Sequence, residues 1–199
     1  MTITNGYCAL TDLEYESGDT PDNARLESII EAVSRAIDQI KLRRFFTTAA
    51  DETRYFTAGH RHRCIIDDLL TITSLKTDED GDGTFETTWT TSDYNLLPRD
   101  GGASQRPWLE VSKKPIGSYL FPLHDDAVQV TGKFGYSTTT PLPIKEACIL
   151  GVSRVRGRKN MPYGVSGSAE LGTLQIVAKL KNDGEFMLLL DSISGRLTR

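Results

Sequence analysis

The spacing of apolar residues along this 199-residue chain changes twice, from helical to strand-like and back to helical. No other feature of the sequence restricts the possible folds as strongly. Between residues 21 and 44, apolar side chains recur at helical spacing and form one stripe: Leu26, Ile29, Ile30, Val33, Ile37 and Ile40. From 51 to 136, short segments rich in threonine, valine, isoleucine and aromatic residues are separated by glycine, aspartate, proline or serine, which is typical of antiparallel strands. Helical spacing then returns. The order predicts an α+β fold, in which an antiparallel β subdomain is inserted into a helical core.

The two long predicted helices have suitable first turns. Thr20 or Asp19 can cap the first helix, and Pro21 fits its first turn because the missing N–H has no helical acceptor there. Pro143 fits the start of the second helix in the same way. That helix has a moderate apolar face: Ile144, Ala147, Cys148, Val152 and Val155. We expect the two helices to pack together although they lie far apart in sequence.

The domain boundaries follow from this order. Residues 1–50 and 137–199 are predicted to form the two parts of the helical core, and residues 51–136 form the inserted subdomain. Near the end of the chain, an alternating segment predicts a strand, and a short C-terminal helix follows Asn182 or Asp183, either of which can cap it.

Composition excludes several classes of protein. The chain is 38% hydrophobic and 25% charged, as expected for a globular protein, and its net charge of −4 does not suggest a dedicated nucleic-acid binder. No apolar run approaches the roughly 20 residues that span a bilayer, and the N-terminus lacks the features of a signal peptide. The three cysteines, Cys8, Cys64 and Cys148, are widely spaced and odd in number, which favours reduced thiols. We therefore expect a soluble protein made in the cytosol.

The segment TDEDGDGTFE, residues 77–86, has the spacing of the start of a calcium loop. Asp78, Asp80 and Asp82 can supply carboxylates, and Glu86 falls at the ninth position of such a loop. The twelfth position, which needs a bidentate glutamate, is Trp89. Two consecutive Asp-Gly pairs are a strong turn signal instead. The sequence favours an acidic turn, and a metal site at these four carboxylates is the alternative.

Other motifs give little sign of catalysis. His60, His62 and Cys64 alternate and would share one face of a strand, although no second ligand cluster lies nearby. The acid pairs 67–68 and 125–126 flank apolar strands and are expected to cap or turn. Neither a nucleophile elbow nor a phosphate-binding glycine loop occurs. We expect no enzymatic activity and no cofactor.

A basic cluster stands out in this acidic chain. Arg154, Arg156, Arg158 and Lys159 lie at the predicted end of the second long helix. Positive charge there can compensate the helix dipole, or it can contact phosphates or an acidic patch on a partner protein.

The chain resembles the head–tail connector (head completion, or adaptor) proteins of long-tailed double-stranded DNA phages and prophages. The resemblance rests on the order and spacing of these segments: YCALTDLEYE, LESIIEAVSRAIDQIKLRRFF, ETRYFTAG, IIDDLLTITSLKTDEDGDGTFE, SDYNLLP and VQVTGKFGYSTTTPLPIKEACILGVSRVRGRKNMPYGVSG. The β insertion is larger than in the minimal members of this family, and the C-terminal segment follows the usual ending only loosely.

The resemblance implies a structural role at the head–tail interface of a virion, in a protein made in the bacterial host cytoplasm. Such proteins form a ring, typically a dodecamer, beneath the portal protein after DNA packaging. The ring extends the channel through which double-stranded DNA passes without sequence-specific binding. It also presents a surface to the stopper or tail-completion protein.

In relatives the C-terminal segment docks on the portal. The resemblance therefore implies that the portal contacts come from basic residues in the last quarter of this chain: Arg154, Arg156, Arg158, Lys159, Arg196 and Arg199. The competing hypothesis from the residues alone is a calcium- or metal-binding β module with an interaction role.

Overall fold

The computed structural model describes residues 3–14, 23–102, 106–157, 165–166, 175–176 and 180–193. The helix caps proposed at Thr20 and Asp19, with Pro21, lie outside these residues. The chain divides into two compact units. A helical unit consists of Met1–Arg43 and Thr140–Arg199, and a β unit consists of Arg44–Thr139.

The helical unit contains the following described elements: α1 (Leu10–Glu14), α2 (Asn23–Lys41), α3 (Leu142–Gly157), the paired strands β7 (Val165–Ser166) and β8 (Gln175–Ile176), a 3₁₀ turn (Leu180–Asn182) and α4 (Gly184–Asp191). The helices α2 and α3 have 19 and 16 residues, which are ordinary lengths, so the expectation of two long helices is not confirmed. The predicted first helix was too long at its end, because Leu42 has a positive φ of 53° and cannot continue it.

The core of the helical unit forms where α2, α3 and α4 meet. The predicted apolar stripe of α2 is buried at Leu26, Ile30, Val33 and Ile37. Its other two members, Ile29 and Ile40, are only partly buried. A glycine allows α2 and α3 to approach closely, since a Cβ at Gly151 would lie 2.8 Å from Val33 Cγ1. The helix α4 contributes Phe186 and Leu190, both fully buried. Of its two predicted caps, Asp183 is the residue that acts, by accepting hydrogen bonds from the N–H groups of Glu185 and Phe186.

The β unit is a six-stranded antiparallel sheet. Its strands are β1 (Glu52–Phe56), β2 (Arg63–Thr77), β3 (Thr87–Trp89), β4 (Tyr94–Leu97), β5 (Trp108–Lys113) and β6 (Val128–Phe134). They lie in the order β1-β6-β2-β5-β4, and β3 pairs with one part of β2. All pairs are antiparallel. A mixed structure of helices with an antiparallel sheet confirms the predicted α+β class.

The strand β2 is a single 15-residue element, whereas the pair Asp67-Asp68 suggested a break in it. The prediction of a cap or turn at this pair is wrong, since β-bulges absorb both residues within the strand. Asp67 accepts a hydrogen bond from Arg54 Nη1 at 3.0 Å, and the carbonyl of Asp68 accepts one from Gly135 N–H at 2.8 Å. At the second acid pair the chain does turn, with a φ of 55° at Asp126.

A single aromatic-rich core lies beneath the sheet. Its buried members include Phe56, Ile66, Leu69, Leu75, Trp89, Tyr94, Phe121 and Phe134. The backbones of β2 and β6 approach so closely that a Cβ at Gly132 would lie 2.0 Å from the carbonyl oxygen of Thr71. In the described part of the chain, no helix combines the length and the apolar character that crossing a membrane requires.

Candidate contact surfaces and the acidic loop

The acidic segment forms the connection between β2 and β3, as the turn hypothesis predicted. These strands pair antiparallel up to Thr77 and Thr87, so residues 78–86 close a hairpin, and we call these residues the acidic loop. The Asp78 carboxylate accepts hydrogen bonds from the N–H groups of Gly81 at 2.7 Å and Gly83 at 2.8 Å. Both glycines have positive φ, 82° and 87°, which the Asp-Gly pairs supply without strain.

The same folding brings the four predicted carboxylates together. One ligand oxygen from each of Asp78, Asp80, Asp82 and Glu86 lies within 4.8 Å of the others. Asp78 is buried and the other three are exposed. Burial by itself would raise the pKa of Asp78, but the N–H donors of Gly81 and Gly83 hold it below its ordinary value. Clustered carboxylate oxygens of this kind are the ligands that Ca²⁺ prefers.

Trp89, at the twelfth loop position, is a core residue. Its ring stacks on Phe121 with centroids 4.4 Å apart, and its Nε1–H donates a hydrogen bond to Thr77 Oγ1 at 3.0 Å. The acidic loop therefore has four converging carboxylates and no bidentate glutamate at position twelve. His124, from the segment before β6, contacts the acidic loop. Its Nε2 lies 2.9 Å from the Asp78 carbonyl oxygen and donates a hydrogen bond to it in the tautomer that carries a proton on Nε2.

The alternating histidines do not converge with the nearby cysteine. The rings of His60 and His62 lie 5.2 Å apart and are exposed, whereas Cys64 is fully buried in the β core. Within the described ranges, the group of four carboxylates is the one arrangement whose spacing could hold a metal ion.

The described part of the basic cluster is engaged within the chain. Arg154 Nε lies 3.1 Å from Asp183 Oδ2, and Arg154 Nη2 lies 3.6 Å from Glu185 Oε2. Arg154 thereby joins the end of α3 to the capped start of α4, while its side chain stays 49% exposed. Arg156 is partly buried and also interacts within the chain. The other predicted portal contacts lie outside the described residues: Arg158, Lys159, Arg196 and Arg199.

The β unit presents an exposed apolar loop that the sequence reasoning missed. We call residues 114–127, between β5 and β6, the apolar loop. Ile116 is 97% exposed, and Leu123 and Leu120 also face solvent. The loop has a fixed anchor, because Phe121 is buried against Trp89 and its N–H donates to the Arg61 carbonyl at 3.0 Å. The available signal was an apolar run, IGSYLFPL, without strand or helix periodicity.

A second apolar surface lies on the helical unit. It is an open groove of about 300 Å³ along α2, lined mainly by Ile29, Ala32, Val33, Ala36, Val155 and Leu180. Three of these positions, Ile29, Ala32 and Ala36, lie on α2 outside its fully buried residues, so the apolar surface of this helix is wider than its buried stripe.

Comparison with known proteins gives matches among solved structures. No protein-family model and no curated protein sequence matches the chain. The chain is similar to a chain in the neck of an empty gene transfer agent (GTA) particle computed with C6 symmetry. The TM-score is 0.59 at 13% identity, over 100% of this chain and 95% of that chain.

Two further structures agree. A chain in the neck of the native GTA particle, computed with C12 symmetry, matches with a TM-score of 0.57 at 12% identity, over 100% of this chain and 94% of that one. A chain in the virion of the native particle matches with a TM-score of 0.54 at 15% identity, over 92% and 84%. The predicted resemblance to head–tail connector proteins is thus confirmed at the level of the fold.

Proposed function

We propose that this chain is a structural protein of the neck of a phage or phage-like particle. The observation that carries the proposal is the likeness to GTA neck chains, which extends over 92–100% of this chain and so includes both of its units. The likeness therefore does not rest on the helices or on the sheet alone.

In this role the chain acts as one subunit of an adaptor ring between portal and tail. The C12 symmetry used for one of the similar necks supports a dodecamer. A ring made by a heterologous contact needs two different surfaces on each subunit, and its function is the channel that it encloses. A net charge of −4 favours the passage of double-stranded DNA without tight binding. The role requires no catalytic group.

The apolar loop is the surface that we assign to the contact between neighbouring copies in the ring. A side chain that is 97% exposed, as Ile116 is, gains nothing from the folding of a single chain. The loop is nonetheless fixed in place by buried Phe121, so its shape is available before any contact forms. A preorganised apolar segment loses little conformational entropy on binding, and every copy in a ring presents it.

The portal is the second partner of this proposal. We place its contact at the basic cluster and the C-terminal residues, at Arg154, Arg156, Arg158, Lys159, Arg196 and Arg199. Arg154 supports this placement, because its side chain is 49% exposed to solvent while its ion pairs with Asp183 and Glu185 fix its position. The opposite face of the ring then receives the stopper or tail-completion protein.

Binding to the portal can be tested by light scattering after size-exclusion chromatography. The purified protein, mixed with portal particles from the same phage or prophage, should co-elute with them at a saturating ratio that reaches a ring of copies. Charge-reversal Arg154→Glu should weaken this binding. Lys145→Glu, at the other end of α3, serves as the control. Saturation at one copy per portal particle, or no co-elution, would refute the proposal.

Calcium binding at the acidic loop is the second candidate function. It is favoured by one observation, the approach of four carboxylate oxygens to within 4.8 Å. In the neck, such an ion would stiffen the hairpin between β2 and β3 at an exposed site.

A further inference from the structure

Two of the three cysteines are in contact in the core of the helical unit. Cys8 Sγ and Cys148 Sγ lie 3.3 Å apart, although the residues are separated by 140 positions. Cys8 is 6% exposed and Cys148 is fully buried. Cys64 belongs to the core of the β unit.

Contacts of the residues before and after Cys8 keep its sulfur next to that of Cys148. Next to Cys8, the N–H of Tyr7 donates to Ser34 Oγ of α2 at 3.0 Å, and the Tyr7 hydroxyl donates to Asp38. Beyond Cys8, Asp12 of α1 forms an ion pair with Lys145 of α3 at 2.8 Å. The N-terminal segment, residues 3–14, is therefore fixed against both α2 and α3.

The environment distinguishes the two thiols. The S–H of Cys8 donates to the sulfur of Cys148, and this hydrogen bond together with burial raises the pKa of Cys8. The same hydrogen bond lowers the pKa of Cys148, and a contact with Ser34 Oγ at 3.6 Å acts in the same direction. The pair thus contains a proton-bearing thiol next to a sulfur that is more readily deprotonated.

We propose that Cys8 and Cys148 are a disulfide-forming pair, which a disulfide oxidant such as oxidised glutathione converts into a covalent link. A disulfide bond is about 2.05 Å long, so the sulfurs need to approach by roughly 1.3 Å. A small relative movement of the N-terminal segment and α3 is enough to close this distance. The inference does not depend on the proposed role in a neck.

The reaction is a two-step thiol–disulfide exchange. One cysteine thiolate attacks oxidised glutathione, forms a mixed disulfide and releases one reduced glutathione. The second cysteine then attacks the protein-bound sulfur of this mixed disulfide and releases the other glutathione. The protein loses two hydrogen atoms in total, that is two protons and two electrons, and one oxidised glutathione becomes two reduced molecules. Local opening of the N-terminal segment gives the oxidant access to the pair.

The link would fasten the N-terminal segment to α3 and close a chain loop that contains the whole β unit. Loops of this length lose much conformational freedom in the unfolded state when they are cross-linked, so the oxidised protein is expected to be more stable. Because a reducing cytosol keeps thiols reduced, the protein would fold with free thiols and acquire the link under oxidising conditions.

The test is oxidation of the full-length protein with oxidised glutathione, followed by alkylation, intact-mass measurement and peptide mapping. We expect a loss of two hydrogen atoms, one thiol left for alkylation in the unfolded protein, and a linked peptide pair containing Cys8 and Cys148. The thermal midpoint of the oxidised form should exceed that of the reduced form by an amount on the order of 10 °C, reversibly with dithiothreitol.

Single variants supply the controls. The difference between the oxidised and reduced midpoints should persist in Cys64→Ser and vanish in Cys8→Ser and Cys148→Ser, each variant being compared with its own reduced form. If a variant fails to fold, the peptide map of the oxidised protein without substitutions is a sufficient test of the proposal. Three alkylatable thiols after oxidation, a stable glutathione adduct, or a link through Cys64 would each overturn the proposal.

Discussion

The carboxylate of Asp78 accepts a hydrogen bond from the backbone N–H of Gly83, five residues further along the chain, at 2.8 Å. It accepts a second one from Gly81 at 2.7 Å. A buried charge with two backbone donors therefore closes the acidic loop, and the two glycines adopt the positive φ that this closure requires.

Replacing Asp78 should open the loop, and lowering the pH should do the same. In Asp78→Ala we expect faster hydrogen exchange at the N–H groups of Gly81 and Gly83 and a lower thermal midpoint. Asp80→Ala is the matched control, since the hydrogen bond that Asp80 accepts within the loop, from the N–H of Asp82 at 3.3 Å, is longer than those of Asp78. Equal exchange at both glycines in the two variants would contradict this role for Asp78.

The pH dependence follows from the sign of the shift. The pKa of Asp78 is lower in the folded chain than its ordinary value of about 3.9, so its contribution is complete above that value. It is lost as the pH falls through the lower folded pKa. The unmodified protein should therefore lose more stability than Asp78→Ala when the pH falls from about 6 to about 2. Thermal melting of both proteins measures this difference.

The calcium hypothesis predicts heat of binding near a one-to-one ratio when Ca²⁺ is titrated into the protein in a calorimeter. Asp80→Ala and Asp82→Ala should reduce the affinity, because each removes one of the four clustered ligands. Asp125→Ala removes an exposed carboxylate from another turn and should leave the titration unchanged. An absence of heat in the unmodified protein would leave the segment as an acidic turn.

Gly151 should not tolerate a side chain, although alanine is the better helix former. A Cβ there would lie 2.8 Å from Val33 Cγ1 and 3.3 Å from a ring carbon of Phe186. We expect Gly151→Ala to reduce the free energy of unfolding by about 1–2 kcal/mol, because overpacking outweighs a propensity gain of about 1 kcal/mol. Gly157→Ala, where a Cβ meets nothing within 4 Å, is the control, and both are compared by urea unfolding.

The apolar loop should matter for assembly and little for folding. The double substitution Ile116→Ser and Leu123→Ser removes two exposed side chains, so the thermal midpoint should change little while ring formation on the portal declines. Leu142→Ser, an equally conservative change at a 68% exposed position, is the control for lost surface hydrophobicity. A normal ring from the double variant would show that the subunit contact lies elsewhere.

The elements with a clear period were the predictable part of this fold. The buried stripe of α2 follows from apolar spacing alone, and the start of α4 follows from the short polar side chain of Asp183. The end of α2 was misplaced because Leu42, a good helix former, takes a left-handed conformation that only the surrounding structure imposes. Similarly, acidic residues suggested a break in β2 where a bulge keeps them within the strand.

Contacts between distant residues were the unpredictable part. The carboxylates of the acidic loop could be identified because they lie within nine positions of one another. The approach of Cys8 to Cys148 and the ion pair between Arg154 and Asp183 have no local signal, since the packing of segments that lie far apart in sequence creates them. The apolar loop was missed because its exposure depends on which of its side chains the sheet covers, and the sheet covers Phe121.

Electron microscopy of the purified protein mixed with portal particles tests the central claim most directly. We expect a ring of added density on one face of the portal, continuous with its channel and absent from images of the portal alone. A monomer in the absence of the portal is compatible with this assignment, because the portal provides the template for the ring. Portal particles that remain unchanged at saturating protein would contradict the assignment to the neck.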